Sequence, residues 1–215
     1  NPPSTGGGID LGTTSPLLIN FDNVGSGLPT GVKVYTGASA TVMGTEASFT
    51  SAVTAWNNTS GAFKNFASAT GLVVNSAIAD QNASANRAVG LRQTGTFGDP
   101  GGAFVFVINN TTGKSNLKLD FLLQSLDGVS AAARTVGWTV DYATGEAPTS
   151  FTTVATSPAT PTTTFGTFAS TPVTVNLPTA LNNSSSKVWI RIVASASTGS
   201  GSRPSTGIDD FKVSW

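Results

Sequence analysis

The apolar residues fall in short runs that alternate with polar ones, which is the period of β-strands. They almost never recur at the three- and four-residue spacing of an amphipathic helix. In NLKLDFLLQ, Leu117, Leu119, Phe121 and Leu123 share one face while Lys118 and Asp120 point the other way. In RTVGWTVDY, Val136, Trp138, Val140 and Tyr142 lie opposite Thr135, Gly137, Thr139 and Asp141. In KVWIRIV, Val188, Ile190 and Ile192 oppose Trp189, Arg191 and Val193. AFVFVIN is apolar on both faces, which predicts a central strand covered on two sides. Further strands are expected at LLINFD, GVKVY, GLVVNS, RAVGLRQ, FTTVA, PVTVNLP and the closing IDDFKVSW. The Thr and Val content of ASFTSAVTAW weighs against a helix there.

Many short strands with polar turns and no crossover helices predict an all-β fold. The expected form is a single antiparallel β-sandwich of the jelly-roll or concanavalin-like kind. Residues 1–16, NPPSTGGGIDLGTTSP, are turn formers with little to bury and read as a flexible N-terminal tail or linker. Residues 17–215 read as one sandwich domain. Connections at 80–86, 95–102 and 155–164 look long, and a sandwich usually carries its binding surface on such loops.

Composition narrows the chemistry. The 215 residues hold 11 Lys and Arg against 11 Asp and Glu, with no His and no Cys. Without those two residue types there is no Ser-His-Asp or Cys-His nucleophile system and no thiolate, and the usual zinc and copper ligands are missing. Zero formal charge without a basic cluster removes the main driving force for nucleic-acid binding. No apolar run is long enough to span a membrane as a helix. Ser and Thr make up roughly a quarter of the chain, a bias that suits secreted, turn-rich β proteins.

Few residues remain as candidates for a site. Trp189 and Arg191 share a strand face, and an indole with a planar guanidinium suits saccharide recognition. The alternative is that Trp189 packs under a loop while Arg191 pairs with Asp120 or Asp141. Trp56, beside the turn in AWNNTSG, is a second stacking platform, whereas Trp138 alternates with valines and reads as core. Asp99 sits in the glycine-rich run QTGTFGDPGG, as a turn residue or a ligand contact. A glycosidase would need two carboxylates facing one cleft. Both glutamates, Glu46 and Glu146, fall in turn-like contexts, so no catalytic residue is expected and the chain reads as a non-enzyme.

Three segments together resemble a group of secreted or cell-surface β-sandwich domains of Bacteroidetes-type bacteria. They are NRAVGLRQTGTFGDPGGAFVFVINNTTG at 86–113, RTVGWTVDYATG with FTTV following at 134–154, and VWIRIVASASTGSGSRPSTGIDDFKVSW at 188–215. The IDDF strand is also similar to the ends of MAM-type and lectin-like jelly rolls. The resemblance implies an extracellular or cell-surface, non-catalytic module. Jelly rolls commonly place first and last strands side by side, so Asp22, Asp209 and Asp210 could converge, with Asn23 nearby. A shell of that kind would suit a structural Ca²⁺. The competing reading has one aspartate capping a turn and pairing with Arg203 or Lys212 while the other is solvated. Adjacent aspartates point to opposite faces of a strand.

The expected function is recognition or adhesion through a polysaccharide or cell-surface glycan. The alternative is a structural subunit of a surface layer or fibre that self-assembles by strand or tail exchange.

Overall fold

The structure is a computed structural model and describes residues 7–56, 60–73, 76–126, 134–164, 166 and 168–215. The strands are β1 (Leu17–Ile19), β2 (Val32–Thr36), β3 (Thr45–Glu46), β4 (Phe49–Thr50), β5 (Ala62–Ala67), β6 (Arg87–Arg92) and β7 (Ala103–Ile108). They continue with β8 (Lys118–Ser125), β9 (Thr135–Thr144), β10 (Thr152–Val154), β11 (Thr162–Thr164), β12 (Ala169–Asn176), β13 (Val188–Thr198) and β14 (Ser205–Ser214). Among the described residues one α-helix, α1 (Ile78–Asn82), lies between β5 and β6.

The strands form two seven-stranded sheets. The first runs β12-β8-β14-β6-β5-β4, with β1 also paired to β14. The second runs β10-β9-β13-β7-β2-β3, with β11 also paired to β9. All pairings are antiparallel except β4 with β5. The expected β-sandwich is therefore present. Among the described residues, no helix is long and apolar enough to cross a membrane.

The alternating faces read from the sequence meet between the sheets. Leu117, Leu119, Phe121 and Leu123 share the main core with Val136, Trp138, Val140, Val188, Ile190 and Ile192. Aromatic rings join the two layers. Phe106 of the second sheet stacks on Phe211 of the first at 3.5 Å between centroids, and Phe63 meets Phe104 edge-on at 5.8 Å. Large rings supply the greatest apolar area per residue, so these contacts carry much of the sandwich's cohesion. Polar links also join the layers: Trp138 Nε1 donates to Thr163 Oγ1 at 2.9 Å, and that hydroxyl meets Thr206 Oγ1 at 3.0 Å.

AFVFVIN is covered on both faces, as its composition required. Phe104, Phe106 and Ile108 enter the main core, while Ala103, Val105 and Val107 form a second cluster with Tyr35, Ala38 and Val193.

Several expectations change. Of the presumed tail, residues 1–6 lie outside the described residues, but 8–11 belong to the fold. Ile9 bridges to Ile108, its N–H donates to Val107 O at 2.6 Å, and Ile9 and Leu11 are buried in the main core. Two apolar side chains in a turn-rich stretch were enough to anchor it. ASFTSAVTAW forms no helix, as its Thr and Val content predicted, and contributes only the short β4; a helix not expected from the sequence forms at Ile78–Asn82. There Asp80 Oδ2 accepts from the Ala77 N–H at 2.7 Å, satisfying an orphan donor of the first turn. Strand β5, AFKNFA, is hidden in the sequence by the polar pair Lys64 and Asn65, which the fold nevertheless buries. The strand expected at GLVVNS lies partly outside the described residues. The expected loop at 155–164 contains β11.

Gly90 shows why a glycine stands in the middle of β6. A Cβ there would lie 1.9 Å from Phe66 Cδ2, and the Phe66 ring is itself held against Trp56 at 4.7 Å between centroids. Gly90→Ala must displace that ring, and urea unfolding should show a loss of about 1–3 kcal/mol. Native-like stability would mean that the ring has room to move.

Candidate functional site

Three of the seven nominated residues, Trp189, Arg191 and Asp99, lie on or beside the second sheet. Arg191 opposes Asp141 across β13 and β9, so the two side chains stand together on that sheet's outer face. The contact is bidentate: Arg191 Nε to Asp141 Oδ1 at 2.9 Å and Nη2 to Oδ2 at 2.7 Å. The remaining guanidinium hydrogens donate to the backbone carbonyls of Ser39 at 2.8 Å, Val42 at 2.9 Å and Met43 at 3.3 Å. The Phe151 ring covers the guanidinium at 3.4 Å. The Arg191 side chain is 0 % exposed, so it cannot meet a ligand. The pairing with Asp141 weighed from the sequence is the one that forms.

Trp189 is two residues away on the same face and half-buried. Its row runs from Ala143 on β9 through Trp189 to Val107 on β7. The indole Nε1 donates to Gly145 O at 2.8 Å, which fixes the ring and satisfies its polar edge. Beside it on the chain, the Lys187 ammonium pairs with Glu146 at 2.5 Å, and β2 carries the Lys33–Glu46 pair at 2.9 Å. Among the aromatic candidates, Trp189 keeps surface to offer.

Asp99 is a clamp rather than a ligand contact. Strand β13 shifts register between Ala194 and Ser197, and that bulge frees the Ser197 amide from the ladder. Asp99 receives it, with Oδ1 accepting from Ser197 N at 2.9 Å and Oδ2 from Ser197 Oγ at 2.7 Å. Oδ2 also accepts from Arg203 Nε. Burial pushes this carboxyl up, but the Ser197 and Arg203 hydrogen bonds and the Arg203 charge outweigh it. The net result holds Asp99 below the usual carboxylate range. Gly98 and Gly101, both at positive φ, make the turn that delivers it, as the glycine-rich run suggested.

Trp56 is only 3 % exposed. It packs with Phe66, Ala67, Leu72 and Leu126 in a cluster over part of the first sheet's outer face. The turn next to it in sequence does not bring it to the surface, because the ring packs into this cluster against Phe66. It is core, not a platform.

Among the described residues, no group of three or more carboxylates is placed to hold a metal ion. A second bulge lies in β14 between Asp209 and Lys212. At this point β14 exchanges one neighbour for another, pairing with β6 over 205–208 and with β1 over 211–213. Asp22, just past β1, accepts from the Arg87 N–H at 3.2 Å and from Asn20 Nδ2 at 2.7 Å. Asp209 is 0 % exposed, with Oδ1 accepting from the Asp210 N–H at 2.8 Å and Oδ2 unpartnered. Asp210, at φ 49°, is half-buried and lines an open recess. Neither Asp209 nor Asp210 pairs with Arg203, which Asp99 holds.

Burial pushes the Asp209 carboxyl up to about 6, and the nearby Asp210 and Asp22 charges add to the rise. The Ser68 hydroxyl and the Asp210 amide offset only part of it. The folded state thus holds this proton more tightly than the unfolded chain, whose value is near 3.8. The resulting stability is fully present below that value and is lost as pH rises through about 6. Unfolding free energies measured across this window should show a decline of roughly 2–3 kcal/mol that Asp209→Asn abolishes. Parallel curves for the two proteins would refute the assignment.

Replacing Arg191 with Met strands the Asp141 carboxylate in the interior and should cost about 3–5 kcal/mol in urea unfolding. The double variant Arg191→Met/Asp141→Leu should recover part of this, but not the share owed to the three carbonyls left without a donor. A single variant as stable as the native chain would show that the pair holds nothing in place.

No family model matches the chain, and comparison with curated proteins gives no match.

Proposed function

We propose that the chain is a non-catalytic recognition module that acts outside the cell or at its surface and binds carbohydrate through Trp189. The observation that carries this reading is the state of the indole. Its N–H is already bonded to Gly145, its ring lies in a row with Ala143 and Val107, and the charged pair Lys187–Glu146 stands beside it on the chain. A fixed aromatic ring loses little freedom when a sugar's apolar face stacks on it, and rim charges can bond the hydroxyls. The non-catalytic part of the reading is supported by the commitments of five of the acidic groups. Asp99 and Asp141 are locked in ion pairs, Asp209 is sealed from solvent, and both glutamates pair with lysines. The resemblance to secreted β-sandwich domains and the abundance of Ser and Thr support the address.

Screening the purified chain on a glycan and polysaccharide array, with Ca²⁺ and again with EDTA, tests the proposal. Binding to a glycan class is expected, and it should survive EDTA because Trp189 lies on the second sheet while the three aspartates lie on or beside strands of the first. Trp189→Ala should weaken it by at least about tenfold, with Trp189→Phe intermediate, in line with the roughly 1–3 kcal/mol of a stacking ring. Large assemblies without any glycan binding would favour the structural-subunit reading. Hydrolysis of a polysaccharide would overturn the non-catalytic one.

A further inference from the structure

The first sheet's outer face is covered by the Trp56 cluster over part of its area, and the second bulge of β14 marks an open part. Across this open part, Thr174 on β12, Asp120 on β8, Lys212 on β14 and Leu18 on β1 stand in one register row. In the neighbouring row Pro172 opposes Leu122. Asp120, Leu122, Pro172, Thr174, Asp210 and Lys212 line a recess of about 290 Å³.

The charges in the recess are unequally committed. Asp120 Oδ1 accepts from Thr174 Oγ1 at 2.6 Å and from the Lys118 ammonium at 2.9 Å. Among the described residues, neither the Asp210 carboxylate nor the Lys212 ammonium closes an ion pair or a side-chain hydrogen bond. Both border the same recess without meeting each other. The bulge is the reason. It adds one residue to β14, puts Asp210 in the left-handed region, and turns its side chain out of the strand's regular alternation. A left-handed backbone is costly for most L residues, tolerated by aspartate and free of strain for glycine, so the conformation itself does not require a carboxylate.

This arrangement selects a class of ligand. A bound cation would sit beside an unpaired ammonium, and a bound anion beside an unpaired carboxylate. A neutral molecule with a donor and an acceptor on adjacent atoms satisfies both. We propose that the recess is a pyranose-binding site, where Asp210 accepts from one hydroxyl of a vicinal pair and Lys212 donates to the next. Leu122 and Pro172 supply apolar contact for the ring. The inference rests on carbohydrate as the ligand class, but it places a site on the first sheet, separate from Trp189.

Amide chemical shifts followed by NMR during titration with methyl α-glycosides of mannose, glucose and galactose test it. The expected result is a shift at residues 120–122, 172–174 and 210–212 with at least one glycoside. It should persist in Trp189→Ala and weaken by at least about tenfold in Asp210→Gly, the loss expected for hydrogen bonds to a charged group. Asp210→Gly suits the left-handed backbone, so its spectrum should otherwise match the native one and exclude misfolding as the cause. An unchanged titration in that variant overturns the role of Asp210. No shift at the recess overturns the site. If the Trp189 face still responds, the proposed function stands without this site; if neither face responds and the array is also silent, both fail.

Discussion

The Arg191–Asp141 pair organises the outer side of the second sheet. A guanidinium removed from water must satisfy its donors in fixed directions, and here two meet a carboxylate while the others meet three carbonyls of one loop. The loop is therefore tied to the sheet by the demands of one buried cation. It covers a cluster of Tyr35, Ala38, Ala103, Val105, Val107 and Val193 that would otherwise face solvent. With this part of the face closed, Trp189 lies at the margin of the covered cluster, and its exposure follows from where the cover ends.

The first sheet solves the same problem by apolar means. Trp56, Phe66, Leu72 and Leu126 cover part of its outer face, and the close approach of Phe66 to Gly90 seats the cover. The buried Asp209, with one oxygen unpartnered, lies on the same strand as the open recess. Bulges mark the points where each sheet departs from regular pairing. One exposes the Ser197 amide to Asp99, and the other turns Asp210 outward where β14 exchanges β6 for β1. In both places an extra residue frees polar groups from the ladder, and an aspartate lies at the irregularity.

The strands were legible because a sheet with one buried face imposes a period of two, which the core-facing residues of 117–123, 135–142 and 188–193 keep. Strand β5 was not, since Lys64 and Asn65 break that alternation and are buried only through the layers that cover them. Ile9 and Leu11 were likewise hidden among turn formers. The candidate site was less legible still. Trp56 and Trp189 look equivalent as aromatic residues near polar ones, and the sequence leaves open whether Arg191 meets a ligand or pairs with Asp120 or with Asp141, 50 positions away.

The all-β class, the faces of the main strands, the core placement of Trp138 and the exclusion of histidine and cysteine chemistry follow from residue type and local spacing alone. Which charged groups are used up and which remain available is settled only in the folded chain. Ion pairing, burial and strand register are long-range relations, so the identity of Arg191, Asp99 or Asp210 could not reveal that two are locked in place and one faces an open recess.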